Sequence, residues 1–426
     1  MKKKIALLFF LLVTSCTHMP NEESLSCVQI IDQNGLSETI NQEEKLTKLN
    51  QVDFLSPQPY QRVVRIYQRN PEGKIPSVFT TYYPNGQIKQ YLEVIDGRAY
   101  GKYQEWHSNG CIKVDATVCG GNPSLSTFCQ KDWTFEGTCR IWDLEKNLIA
   151  TIPYSKGSLH GEALYYFPSG RLKKKIHYDN DLLEGEYSVY AEDGSLMEKY
   201  YYQENQLEGS ALGYFTKNHP SFLEKYEKGK LETGIYYDFD GNQVAEIQKG
   251  KGFKAVFEMR KLQQLIEYKK GYAEGLVEIF DKEGNLESSY YQTHGKKQGK
   301  EITFFLPHEL PYQSRLKTPQ PKLSVEWNED TLHGISKTWY PTGKIASQKE
   351  LYQNEKNGTC CGWYENGDLM YLEEYELGKL IHAKYYKKGQ KEPVSKVVLG
   401  EGEATLFDEK TGLFLRRIPY RNGSPQ

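Results

Sequence analysis

The sequence predicts an all-β chain, an elongated single twisted antiparallel sheet of about thirteen stacked 24-residue β-hairpins. Three observations carry this. Glycines recur at a near-constant interval: Gly137, Gly161, Gly185 and Gly209 are 24 apart, Gly234, Gly252, Gly275 and Gly299 follow at 25, 18, 23 and 24, and Gly334 to Gly358 is again 24. Gly101 precedes this set and Gly402 closes it. Five residues beyond each of these twelve pivots stands a ring: Trp106, Trp142, Tyr166, Tyr190, Tyr214, Phe239, Phe257, Phe280, Phe304, Trp339, Trp363 and Phe407. A second glycine follows many of the rings, behind Asn, Asp or Glu, as in Asn85-Gly86, Asn109-Gly110, Asp193-Gly194 and Asn366-Gly367. The composition agrees, because 33 Tyr and 37 Gly beside only 5 Met suit short strands and tight turns better than helices.

In chain order, the first element is a targeting segment over residues 1–15. Lys2, Lys3 and Lys4 precede an apolar run from Ile5 to Val13, which is too short to span a bilayer. Val13-Thr14-Ser15-Cys16 then resembles a bacterial lipoprotein box, which implies diacylation of Cys16 before cleavage. Each buried acyl methylene contributes about 0.8 kcal/mol, so two or three chains hold a protein on a membrane. By the same resemblance, Thr17 implies an outer-membrane address at the cell envelope. Residues 16–60 read as a polar tether, with Asn21-Glu22-Glu23 and Gln42-Glu43-Glu44. The array itself occupies residues 61–426.

Within each repeat, an Asn-Gly or Asp-Gly pair supplies the positive φ angles of a type I′ turn between two strands. An aliphatic residue follows, as at Ile112, Leu172 and Leu196, and the chain returns through segments such as Lys156 to Gly161. One hairpin alone cannot cover its rings, so neighbouring hairpins must shelter one another, and stability becomes a sum of nearest-neighbour terms. With strands about 4.8 Å apart, the array predicts a rod on the order of 120 Å long. The twelve rings are expected to form its core.

The period breaks twice, and each break marks an insertion where binding specificity can sit on a rigid scaffold. The first covers residues 111–139 and contains Cys111, Cys119, Cys129 and Cys139. Their spacing lacks the Cys-x-x-Cys of a zinc site, so in an exported protein they read as candidate disulfides. The second covers residues 306–323 and is rich in proline. Without Cys16 the cysteines number seven, so at least one is free or joins another chain.

The pattern Gly-x-x-x-x-aromatic-x-x-x-Gly-x-aliphatic, with return segments such as Leu183-Glu184-Gly185 and Leu332-His333-Gly334, resembles the variant MORN (membrane occupation and recognition nexus) repeat over about residues 78–410. Some bacterial members of that family are labelled antitoxin components, so the resemblance implies a binding role that could extend to a toxin.

No nucleophile elbow, zinc-protease helix, phosphate loop or dinucleotide fingerprint occurs, and the repeats leave no stretch for a catalytic domain. Neither a catalytic residue, a metal nor a cofactor is expected. His160, His333 and His107 sit at turn positions, and acidic residues such as Glu162 and Glu186 recur with the repeat. Losing three lysines with the targeting segment leaves 51 basic and 56 acidic residues, a net charge of −5. That balance lacks the basic stripe that nucleic acid requires. The expected function is therefore a non-enzymatic, lipid-anchored scaffold for a protein partner. An antitoxin-like binder and a cell-wall carbohydrate or membrane-lipid module are the alternatives.

Overall fold

A computed structural model of the chain describes residues 24–311 and 319–426. The targeting segment 1–15, the lipid-attachment residue Cys16 and positions 312–318 of the second insertion lie outside the described residues. The chain divides into two compact units, Met1–Leu182 and Leu183–Gln426. Each is an antiparallel meander of consecutive hairpin strands, so the fold class is all-β.

In the first unit the residues expected to form a tether are folded instead. Leu25–Asp32 pairs with the short strand Ser37–Ile40 on one side and with Tyr60–Tyr67 on the other, and a helix follows at Glu43–Leu49. Val28, Ile30, Leu46 and Phe54 are buried against Val63, Tyr82 and Ile88. The Tyr82 hydroxyl donates to the Phe54 carbonyl at 2.8 Å, and Arg65 lies over the Phe54 ring. The polar composition misled because only alternate residues of a half-covered strand need be apolar. This segment serves as a terminal cap, which a stack of repeats needs where its last hairpin would otherwise be bare.

The hairpin turns also differ from expectation. At Ser108-Asn109-Gly110, the Gly110 amide donates to the His107 carbonyl at 2.9 Å and the His107 amide donates to the Cys111 carbonyl at 2.8 Å. Gly110 alone takes positive φ, so this is a three-residue loop, a type I turn closed by a left-handed glycine. Asn109 contributes its side chain instead, accepting from the Cys111 amide at 3.0 Å. Type I′ turns lie at the other edge, in the return segments: Asn180-Asp181, Glu204-Asn205 and Gln353-Asn354 each have two positive φ angles. Both edges of the meander are therefore tight hairpins.

The insertions are narrower than the sequence suggested. Ile112–Gly120 and Thr134–Trp142 are paired strands, which confines the first insertion to residues 121–133. It folds back onto the sheet. Trp133 is 5% exposed, its ring meets Tyr103 edge-on at 4.9 Å, and its indole N–H donates to the Asn122 carbonyl. The loop completes a core of Leu92, Val94, Ala99, Ala116 and Val118. In the second insertion, the strand Gln320–Asn328 already includes residues 320–323, and Leu310 is buried.

Candidate interaction surface

The six pivots Gly137, Gly161, Gly185, Gly209, Gly334 and Gly358 all take positive φ, between 71° and 106°. At Gly334 and Gly358 a Cβ would also collide with the carboxylates of Glu326 and Glu350. Those carboxylates accept the amides of Ile335 and Thr359, satisfying donors that the bulge removes from the ladder. Only glycine permits both the conformation and the approach.

The rings five residues on do not form the fully buried core. Trp106, Trp142, Tyr166, Tyr190, Trp339 and Trp363 are all half-buried. Each sits where the strand register shifts, for example between Tyr165 and Tyr166 or between Thr338 and Trp339. The bulge turns the ring toward the hairpin end. The most buried position is instead two residues beyond the pivot, held by Tyr103, Cys139, Ala163, Ala211, Tyr236, Val277, Cys360 and Ala404. At Cys139, Ala163, Ala211, Cys360 and Ala404 the residue is small and neighbouring strands carry the bulk, which a search for large side chains does not detect.

The cysteines of the first insertion are not gathered into one cluster, since Cys111 and Cys119 lie at opposite ends of the strand Ile112–Gly120, and all seven described cysteines are free thiols. Cys139 points into the core, while Cys119 alternates with the buried Val118 onto the other face. Cys111 closes a hairpin turn and Cys129 begins the short helical turn Cys129–Asp132. Burial pushes the Cys139 thiol up to about 11, with Asp115 adding to the rise, so it is a poor nucleophile at neutral pH.

In the second unit two stretches depart from the regular hairpin in the same way. Glu224-Lys225-Tyr226-Glu227-Lys228-Gly229-Lys230-Leu231 is matched by Glu373-Glu374-Tyr375-Glu376-Leu377-Gly378-Lys379-Leu380, and Tyr236 and Tyr385 follow at the same distance. Each pattern precedes a shortened strand, Gln243–Gln248 or Ser395–Val398. The shortening lets three turns meet. Leu231 donates to Gly271, Gly271 to Gly250 and Gly250 to Glu232, all through backbone groups at 2.8 to 3.1 Å. Leu380, Gly423, Gly400 and Ile381 repeat the arrangement at 2.9 to 3.0 Å. The sheet curls over its own covered face, and Leu231, Leu380, Tyr236 and Tyr385 are at most 1% exposed. Each aliphatic side chain so buried contributes about 1.5 to 3 kcal/mol.

Each curl encloses a carboxylate where other repeats place an apolar residue, such as Leu92, Ile152, Ile176 or Ile266. Glu224 accepts from the hydroxyls of Tyr226 at 2.8 Å and Tyr236 at 2.7 Å and pairs with Lys254 at 2.7 Å. Glu373 accepts from Tyr385 at 2.9 Å and faces Lys356 at 3.5 Å. Burial first, and the carboxylate second, push all four phenols well above their ordinary range. These groups are enclosed and mutually satisfied, which suits a structural role.

The opposite, open face carries half-exposed rings and aliphatics. Strand alternation places Tyr201, Leu223, Tyr291, Ile335, Tyr352 and Leu372 there, each 36 to 49% exposed. Lysine and glutamate intersperse with them, as in Lys199–Glu186 at 2.9 Å. His160 pairs with Asp179 and the His333 ring packs on Tyr352, so both are turn-edge residues with neighbours of their own. Among the described residues, no group of three or more His, Cys, Asp or Glu is placed to hold a metal.

Five segments match the family profile "MORN repeat variant": residues 78–96, 159–180, 183–204, 332–354 and 356–377. The first four are regular hairpins and the fifth runs into the Glu373 curl as far as Leu377, while the shortened strands of both curls lie outside all five. No curated protein matches the chain. Among solved structures it is similar to the TcdB2-TccC3-Cdc42 and TcdB2-TccC3-TEV proteins and to TcdB2-TccC3 without its hypervariable C-terminal region, at 8, 11 and 9% identity and TM-scores of 0.15, 0.16 and 0.15. Those matches cover 91 to 95% of this chain but only 22 to 24% of the others, so the chain spans less than a quarter of their length.

Proposed function

We propose that the protein is a non-enzymatic repeat scaffold, anchored at the envelope through an acylated Cys16, that presents the open face of its hairpin sheet to a partner protein. The observation that carries this reading is the division of labour between faces. The Glu224 and Glu373 carboxylates and the phenols gathered around them are enclosed on the covered side, whereas Tyr201, Tyr291 and Tyr352 offer rigid rings, 41 to 49% exposed, on the other. Tyrosine gives large contact area for few rotatable bonds, which favours recognition.

Photo-crosslinking residues placed at Tyr201, Tyr291 and Tyr352, with Tyr236 as the covered-face control, test this on intact cells. The expected outcome is one protein captured from the open-face positions and none from Tyr236. Capture of nothing from any open-face position counts against the scaffold. Loss of radiolabelled palmitate incorporation in Cys16→Ala is the expected sign of the anchor.

A further inference from the structure

The two curls allow the open face to be compared position by position. In the first, Leu223 stands opposite Ile235 and Ile235 opposite Glu246. At the matching positions of the second, Leu372 stands opposite Lys384 and Lys384 opposite Lys396. Both leucines are 38% exposed, so the backbone setting is the same and the charge is what changed. Among the described registers, Lys384 and Lys396 are the one place where two basic residues face each other directly. Like charges so placed destabilise a sheet, and among the described residues neither lysine has an ion-pair partner. They line a groove of about 450 Å³ with Leu372, His382, Val398 and Glu374, the last standing opposite His382.

We propose that this groove receives an extended segment of the partner protein bearing a carboxylate, which sits between Lys384 and Lys396 while an adjoining aliphatic side chain packs on Leu372 and Val398. The proposal rests on the scaffold reading and adds the chemistry of the partner. Two facing ammonium groups supply up to six donors and, with Glu374 lining the same groove, leave one positive charge in excess for a single carboxylate to balance, and the flanking apolar side chains exclude water from that pair. The two strands that carry these lysines, Lys379–Tyr385 and Ser395–Val398, contain no carboxylate, which disfavours pairing of this face with a second copy of itself.

Fluorescence anisotropy of the full chain decides the matter, using a dye-labelled decapeptide pool in which Glu alternates with Leu or Val and a matched pool with Gln for Glu. The Glu pool is expected to bind roughly tenfold tighter or more. Lys396→Glu is expected to abolish that preference while raising the melting temperature, because a repulsive cross-strand pair becomes attractive. A lysine serving only the fold would not gain stability and lose binding together. Equal affinity for the two pools, no binding of either, or a lowered melting temperature in Lys396→Glu overturns the proposal. Displacement of the peptide by equimolar succinate or inorganic phosphate also overturns it, assigning the groove to a small free anion. If Lys396→Glu leaves the crosslinked partner of the open-face tyrosines unchanged, the groove proposal fails and the scaffold reading stands.

Discussion

The curl around Glu224 and the curl around Glu373 are built from one pattern and compensated in two ways. Glu, Tyr, Gly and Leu recur at matching positions because each closes the curl: a shared acceptor, two phenols, a left-handed turn and a buried plug. The balancing cation does not recur. Lys254 reaches Glu224 from a later strand, 30 residues on, whereas Lys356 reaches Glu373 from an earlier one, 17 residues back. Water-facing positions diverge further, with Lys228 and Lys249 at the turn tips of one curl and Leu377 and Leu399 in the other. Backbone closure fixes some residues tightly. Charge balance needs only a cation of sufficient reach.

That difference predicts unequal costs for removing the cation. Glu224 has no exposed side-chain surface and its lysine lies at 2.7 Å, whereas the Glu373 side chain is 11% exposed and its lysine lies at 3.5 Å. Lys254→Met strands a buried carboxylate and is expected to cost about 3 kcal/mol, with Lys356→Met costing about 1 kcal/mol because water reaches its partner. The double change Glu224→Leu with Lys254→Met should return to within about 1 kcal/mol of the starting protein. Urea midpoints of the three variants check this, and equal losses from the two single changes would mean that the curls enclose their carboxylates equally.

The turn junction predicts the opposite, a shared cost. Gly250 and Gly400 have φ of +70° and +79°, and a Cβ on either would meet the backbone nitrogen of the facing glycine, Gly271 or Gly423, at 2.5 Å. Alanine at either site is expected to cost roughly 2 to 4 kcal/mol, combining left-handed strain with overpacking. Similar drops in melting temperature from the two substitutions would support a common closure. A neutral Gly400→Ala would show that the second junction is looser than the first.

Much of this was legible in the sequence and some was not. The glycine interval gave the hairpins because positive φ at a bulge leaves no substitute for glycine, as at Gly334 and Gly358. The rings five residues on marked the repeat but not its core, since burial depends on which way a register shift turns Trp106 or Trp339. The duplicated Glu-x-Tyr-Glu-x-Gly-Lys-Leu was visible as letters. It was hidden by alignment on pivot glycines, because Ala383 stands where Gly234 does. The cap at residues 25–60 was missed for its short, polar elements. The thiols could not be placed from spacing alone, because Cys119 and Cys139 fall on opposite faces of a pleat.

Alkaline pH gives the comparison a second axis. Tyr226, Tyr236, Tyr375 and Tyr385 have folded values raised above the ordinary 10.0, so the unfolded chain releases these protons first. The stability they contribute is whole below about pH 10 and declines as pH rises through the folded values. Tyrosine absorbance at 295 nm should therefore show a class of phenols that ionises only as circular dichroism reports unfolding. In Glu224→Gln that class should begin to ionise at lower pH, because part of the upward push is removed.

The smallest expected effect concerns the turn tips. Leu377 and Leu399 take φ of +44° and +52° while 64% and 75% exposed, and Lys228 and Lys249 take +49° at the matching sites. The first-position amide is held in both curls by the preceding repeat, Leu377 by the Asn357 side chain and Lys228 by Glu208. The strain therefore belongs to the backbone and not to the side chain. Asparagine, which adopts this conformation more readily, is expected to add about 0.5 to 1 kcal/mol at Leu377 and a similar amount at Lys228. Equal gains at the two sites would leave the leucines no part in the fold, so that their apolar tips persist at a cost in stability and invite the same question as the facing lysines. A loss at Leu377 alone would show that its side chain packs on the curl and that the two tips differ for structural reasons.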